Sequence, residues 1–190
     1  MTQNLNIEIG KIIQILKQGG TILYPTDTIW GIGCDATNSI AIKAIYNIKN
    51  RERNKSMLIL VNDIEMLKNY VRKVPEQVYA AMEAIQNPLT IIYPEGKNLA
   101  PNLLAEDGSI GIRIVKDEFC QKLIKEFGKP IVSTSANLSG KNPPLGYFDI
   151  SDDIKTNVNY IVPLRLEEFS PHKQSNIIKI NMAGDIEILR

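Results

Sequence analysis

A chain of 190 residues, 44% hydrophobic and 23% charged, has the length and composition of one globular domain, here 1–190, able to bury a core without disulfides or metals. A net charge of +1 argues against a uniformly basic nucleic-acid binder, so an RNA partner would need a local patch of cations. Residues 1–6 lack a signal-peptide pattern, and no apolar run approaches the ~20 residues of a membrane span. Cys34 and Cys120, far apart and outside any metal spacing, predict a reduced pair in a cytoplasmic protein. The single histidine, His172, argues against a histidine triad or a zinc site.

In chain order, Ile9, Ile12, Ile13 and Leu16 predict a helix over 7–18 that ends near Gly19-Gly20. Residues 21–24 read as a strand stopped by Pro25. A second helix fits 39–49, with Ile42, Ile45 and Ile48 on one face and Ser39 as its cap. The continuous apolar run 57–61 predicts a strand buried on both faces. Asp63 then caps a helix carrying Ile64, Leu67, Tyr70 and Val71, and Pro75 begins another with Val78, Met82 and Ile85 inward. Strands follow at 90–93 and 110–114, and Asp117 caps a helix that Gly128 stops. Further strands are predicted at 131–134, 159–162, 176–181 and 185–189, with irregular loops at 94–108 and 140–147. The mixture implies an α/β fold whose sheet combines parallel and antiparallel pairs.

Four segments hold candidate chemistry. Residues 133–140 (Ser-Thr-Ser-Ala-Asn-Leu-Ser-Gly) follow an apolar strand and read either as a capping turn or as a site at a strand's end. Lys49, Arg51, Arg53 and Lys55 alternate, so an extended backbone puts them on one face, as a phosphate-binding row or a solvated loop. Residues 24–33 form a plausible substrate-facing turn, in which Gly31-x-Gly33 permits close approach and Trp30 is either core or a stacking surface. Arg113, alone among apolar neighbours in a strand, needs an internal carboxylate or an anionic ligand. The chain contains no Gly-x4-Gly-Lys-Ser/Thr loop, His-Glu-x-x-His, Gly-x-Ser-x-Gly or Cys-x-x-Cys.

Taken together, Tyr-Pro-Thr-Asp-Thr-x-Trp-Gly-x-Gly (24–33), Lys-x-Arg (49–51), Asn-Pro-Leu-Thr (87–90), Gly-Ile-Arg (111–113) and the 133–140 octapeptide resemble, in order, the YrdC-type L-threonylcarbamoyladenylate synthases. The resemblance implies a twisted mixed sheet flanked by helices, with a concave, positively charged active surface. It also implies a nucleotidyltransferase that joins L-threonine, bicarbonate or CO2, and ATP into threonylcarbamoyl-AMP and pyrophosphate. A partner threonylcarbamoyl-transferase complex would then pass the group to adenosine 37 of tRNA. Mg2+ is expected with ATP, tRNA or double-stranded RNA as a further ligand, and no membrane.

By the same resemblance Lys49, Arg51, Ser135 and Asn137 form the catalytic tetrad. Lys49, Arg51, Lys55, Ser109, Ser135 and Arg190 would bind ATP, and Thr28, Arg113, Ser133 and Ser175 would bind threonine. Departures from the family pattern fall at Asn50-Glu52 in place of Gly and Pro, at Gln86-Asn87-Pro88, and at Asn176 in place of threonine. The chain looks like the short bacterial form. A non-catalytic RNA-binding module and the YciO-like sister group are the alternatives.

Overall fold

Helix-spaced isoleucines and Leu16 build α1 (Thr2–Lys17), which buries Ile9, Ile12 and Leu16 in the computed structural model, whose described residues are 2–51, 57–163 and 174–190. The predicted α2 (Ser39–Ile48) buries Ala41, Ile42 and Ile45, but its cap is Asn38. The Asn38 side chain accepts from the Ile40 and Ala41 amides at 2.9 and 3.1 Å, leaving Ser39 as the first helical residue. Asp63 does cap α3 (Ile64–Lys68), through the Met66 amide at 2.7 Å. That helix stops before Tyr70 and Val71, because Val71 bridges to Gly96. Pro75 is the N-cap of α4 (Glu76–Ala84) rather than its first residue. Asp117 caps α5 (Glu118–Phe127) through the Cys120 amide at 2.8 Å, and Gly128 closes it at φ +75°. No sequence signal marked α6 (Asp152–Asn157), six polar-rich residues of which Ile154 is buried.

The strands are β1 (Ile22–Tyr24), β2 (Gly31–Gly33), β3 (Leu58–Val61), β4 (Leu89–Tyr93), β5 (Ile110–Ile114), β6 (Ile131–Ser135), β7 (Tyr160–Ile161), β8 (Asn176–Ile180) and β9 (Ile186–Ile188). They form one mixed sheet in the order β7-β1-β2-β6-β3-β5-β4-β8-β9. Pairs β1/β7, β3/β5 and β4/β8 are parallel, while the other neighbours are antiparallel. β2 lies inside the segment expected to be a turn. By pairing Gly31 with Ser135 and Ile32 with Thr134 it extends β6 through Ser135. Ser135 therefore belongs to the strand with Ser133 and Thr134, one residue past the predicted end, and not to the loop beyond it. Among the described residues no helix is long and apolar enough to cross a membrane.

The sheet's two faces explain where a site can form. One face packs Ile59, Val61, Val132, Ile91, Ile112 and Ile178 under α2, α3, α4 and α6. On the other, α1 and α5 cover Ile22, Tyr24, Leu60 and Ile131. β3 contributes to both cores, as its unbroken apolar run predicted. Registered neighbours share a face, so Leu60 lies level with Arg113, Arg113 with Thr90, and Thr90 with Ile177. Likewise Ile131, Ser133 and Ser135 point the same way, two residues apart. The face that is apolar beneath α1 and α5 thus continues into hydroxyls, a guanidinium and the side-chain-free Gly31 where those helices end.

Candidate active site

A cavity of about 210 Å3 opens on this uncovered part of the sheet. Its walls come from the β1–β2 turn (Thr26, Thr28), β6 (Ser133, Thr134, Ser135), Arg113 of β5, Arg51 beyond α2, and Ser175 and Arg190 near the end of the chain. Pro25 ends β1, and the turn is then held by Thr26. Its hydroxyl donates to the Ile29 carbonyl at 2.8 Å, accepts from the Thr28 amide at 3.2 Å and lies 2.9 Å from the Thr28 hydroxyl. Arg113, 3% exposed, answers the choice between internal partner and ligand with both positions at once. It lies 3.1 Å from Asp27 and lines the cavity.

The predicted tetrad divides. Arg51 and Ser135 line the cavity, whereas Lys49 and Asn137 stand behind its wall. The Lys49 ammonium, which the resemblance placed by the phosphates, donates to the Ser135 carbonyl and to the Asn137 carbonyl at 2.5 Å. The Asn137 Oδ1 lies 3.5 Å away, and the Lys49 carbonyl accepts from the Ser139 amide at 2.9 Å. Lys49 is a clamp joining the end of α2 to the turn after β6. Burial, then the neighbouring Arg51 charge, lowers its pKa to about 7, against the hold of those carbonyls on its proton. Burial also lowers the Arg51 pKa. Asn137 donates to the Leu138 and Lys141 carbonyls and faces a separate hollow outside the turn.

Near the chain's end, the Ser175 hydroxyl lies 2.8 Å from that of Thr90, and Arg190 Nε donates to the Ser175 carbonyl at 3.1 Å. Arg190 Nη1 meets the Gln174 side chain. Burial and then the charge of Arg113 lower the Arg190 pKa. Ser109 lies elsewhere, in an adjoining hollow of about 330 Å3 that shares Met57 and Leu58 with the cavity. Lys55 and Arg53 lie outside the described residues. Trp30 is buried and packs on Tyr147 at 5.3 Å between ring centroids, so it is core that also forms one wall.

Sequence reasoning singled out Thr28 and missed the roles of its neighbours Thr26 and Asp27. The signal for Asp27 was present: a buried arginine in an apolar strand requires a carboxylate, and Asp27 sits in a motif already chosen. Among the described residues, three guanidinium groups and several hydroxyls line the cavity, and no carboxylate side chain, histidine or cysteine does. Such walls align and neutralise anionic ligands. They offer no evident base to activate a protein nucleophile.

A family model for Sua5, YciO and YrdC proteins, described as telomere recombination, matches residues 14–190. The chain belongs to the Sua5/YciO/YrdC family. The threonylcarbamoyl-AMP synthase of Pseudoalteromonas translucida (strain TAC 125) is 33% identical over 181 residues, 94% of this chain and 95% of that protein. The structure of P. abyssi Sua5 complexed with L-threonine superposes with a TM-score of 0.81 at 23% identity, covering 96% of this chain. The chain spans about half of that protein's length, 53%. E. coli YciO gives a TM-score of 0.79 at 23% identity, over 96% of this chain and 87% of YciO. The mixed sheet flanked by helices that the resemblance implied is the fold of the Sua5/YciO/YrdC family.

Proposed function

We infer that this chain is a threonylcarbamoyl-AMP synthase, a nucleotidyltransferase supplying activated threonylcarbamoyl groups for the t6A modification of tRNA. One observation supports this reading most directly. Arg51 and Ser135, separated widely in sequence, meet Thr28, Arg113 and Ser133 around one cavity, in a chain that matches a curated synthase over 94% of its own length and 95% of that protein's. The amine of L-threonine adds to CO2 and loses a proton, giving a carbamate. A carbamate oxygen then bonds to the α-phosphorus of ATP as the bond to pyrophosphate breaks. This chemistry needs alignment and charge neutralisation rather than a covalent enzyme intermediate.

In this reading Arg51, Ser135 and Arg190 neutralise and orient the phosphates. Arg113 takes the threonine carboxylate, with Thr28, Ser133 and Ser175 as polar contacts. Lys49 and Asn137 act from behind, holding the turn that aims Ser135. Magnesium would enter with ATP as part of that substrate. The product passes to a downstream threonylcarbamoyl-transferase, and tRNA itself is the remaining partner in this proposal.

The test is pyrophosphate release by purified protein given Mg·ATP, L-threonine and bicarbonate. Release should require all three, and Arg51→Ala should lower kcat/KM by ~10²–10³, as removal of a transition-state charge partner does. Threonine-independent release, or none from the wild-type protein, would sink the reading.

A further inference from the structure

Arg113 is a cation in an otherwise apolar strand, and burying it without a partner would be costly. Asp27 supplies that partner from the β1–β2 turn. Its Oδ1 lies 3.1 Å from Arg113 Nη2, and its Oδ2 accepts from the Lys116 amide at 3.2 Å. The carboxylate is therefore fixed by backbone before it fixes the guanidinium. Thr26 Oγ1 lies 3.5 Å from the same Nη2. With its own proton committed to the Ile29 carbonyl at 2.8 Å, Thr26 can only accept from Arg113. The guanidinium is thus anchored at Nη2 by an ion pair, while its buried Nε and the buried Asp27 Oδ1 each lack a hydrogen-bond partner. An anionic acceptor entering the cavity meets a guanidinium whose orientation Asp27 and Thr26 have already set.

Charge adds a second effect. Asp27 cancels the charge of Arg113, so this part of the cavity suits a zwitterion. Among the described residues Arg190 differs, since the Ser175 carbonyl and the Gln174 side-chain oxygen that hold its guanidinium are both neutral. A polyphosphate gains more at Arg190 than at the compensated Arg113.

We propose that Asp27, backed by Thr26, is a positioning residue that makes Arg113 a receptor for an amino-acid carboxylate and keeps polyphosphate from taking its place. The proposal rests on the synthase reading, whose threonine carboxylate it places at Arg113. Its test compares wild type, Asp27→Asn and Asp27→Glu. Steady-state KM is measured for L-threonine and ATP, and calorimetry compares L-threonine with L-threoninol, which keeps the amine and hydroxyl but lacks the carboxylate.

Asp27→Asn should raise the threonine KM about tenfold or more, the scale of a misdirected charge-assisted hydrogen bond. Its ATP KM should stay within about twofold, and its preference for threonine over threoninol should shrink. Pyrophosphate should become competitive with threonine in this variant. Asp27→Glu keeps the charge but changes its reach, so it should show the same threonine-specific defect in milder form, and it serves as the test if Asp27→Asn does not fold. Parallel changes in both KM values, or an unchanged threonine-to-threoninol ratio, overturn the proposal. Absence of pyrophosphate release by wild type would instead defeat the synthase reading, and the calorimetric ratio would still decide the role of Asp27.

Discussion

Lys49 is pulled two ways at a single nitrogen. Burial and the Arg51 charge take its pKa from the ordinary 10.5 to about 7, while the Ser135 and Asn137 carbonyls favour the protonated form. The unfolded lysine stays protonated well above pH 7. Between about pH 7 and 10 the unfolded chain then binds more protons at this position than the folded one, so this lysine makes stability rise with pH. Lys49→Met removes the titration. Urea unfolding of both proteins at pH 6.5 and 9 should therefore show the wild type gaining about 1–2 kcal/mol relative to the variant. Parallel pH profiles would mean that the carbonyls win and the amine remains charged throughout. Of the residues that the resemblance assigned to the phosphates, Arg51 and Ser135 line the cavity, whereas Lys49 is turned to backbone behind it. Its type says cation, whereas the carbonyls that claim it belong to residues nearly ninety positions away.

Elements with strong local signals were legible in the sequence. α1, α2 and α5 announce themselves by apolar spacing, α1 and α5 also by Gly or Asp at their ends, and β3 by its unbroken apolar run, whereas the cap of α2 is Asn38 and not the expected Ser39. β2 was not legible, because Gly-Ile-Gly has neither alternation nor β-propensity; tertiary packing alone makes it a strand. The reason for glycine at Gly33 is contact. A Cβ there would lie 2.7 Å from both the Val132 carbonyl and the Tyr24 ring. Gly33→Ala must push β2 away from β1 or β6, at a cost of about 1–3 kcal/mol in unfolding free energy. Because Gly31 pairs with Ser135 in the same two-strand ladder, the variant should also lose ATP affinity. Denaturant midpoints and ATP titration check both effects, and a variant with unchanged stability would show that the strands have slack at this point.

Across the whole molecule, the cavity exists because the helical cover over one sheet face stops short while the face continues. Residues from the β1–β2 turn, the segment after α2, β5, β6 and the chain's end meet only through the sheet order, so no local window of sequence could display them together. The same arrangement leaves one cysteine in each core: Cys34 lies on the α2 side and Cys120 on the α1–α5 side, both free and fully buried. Burial raises both thiol pKa values, which further suppresses thiolate. Shared strands β1, β3 and β6 contribute side chains to both cores, so the two layers should open together. Disulfide-exchange labelling in native buffer, followed by peptide mass analysis, should then modify Cys34 and Cys120 at matching opening-limited free energies. Saturation with a site ligand at about 100 times its Kd should slow both equally, by about 100-fold, since a ligand bound only to the folded chain adds about 2.7 kcal/mol. Slowing at one thiol alone would show that the sheet's two faces unfold separately and that the cavity is coupled to only one of them.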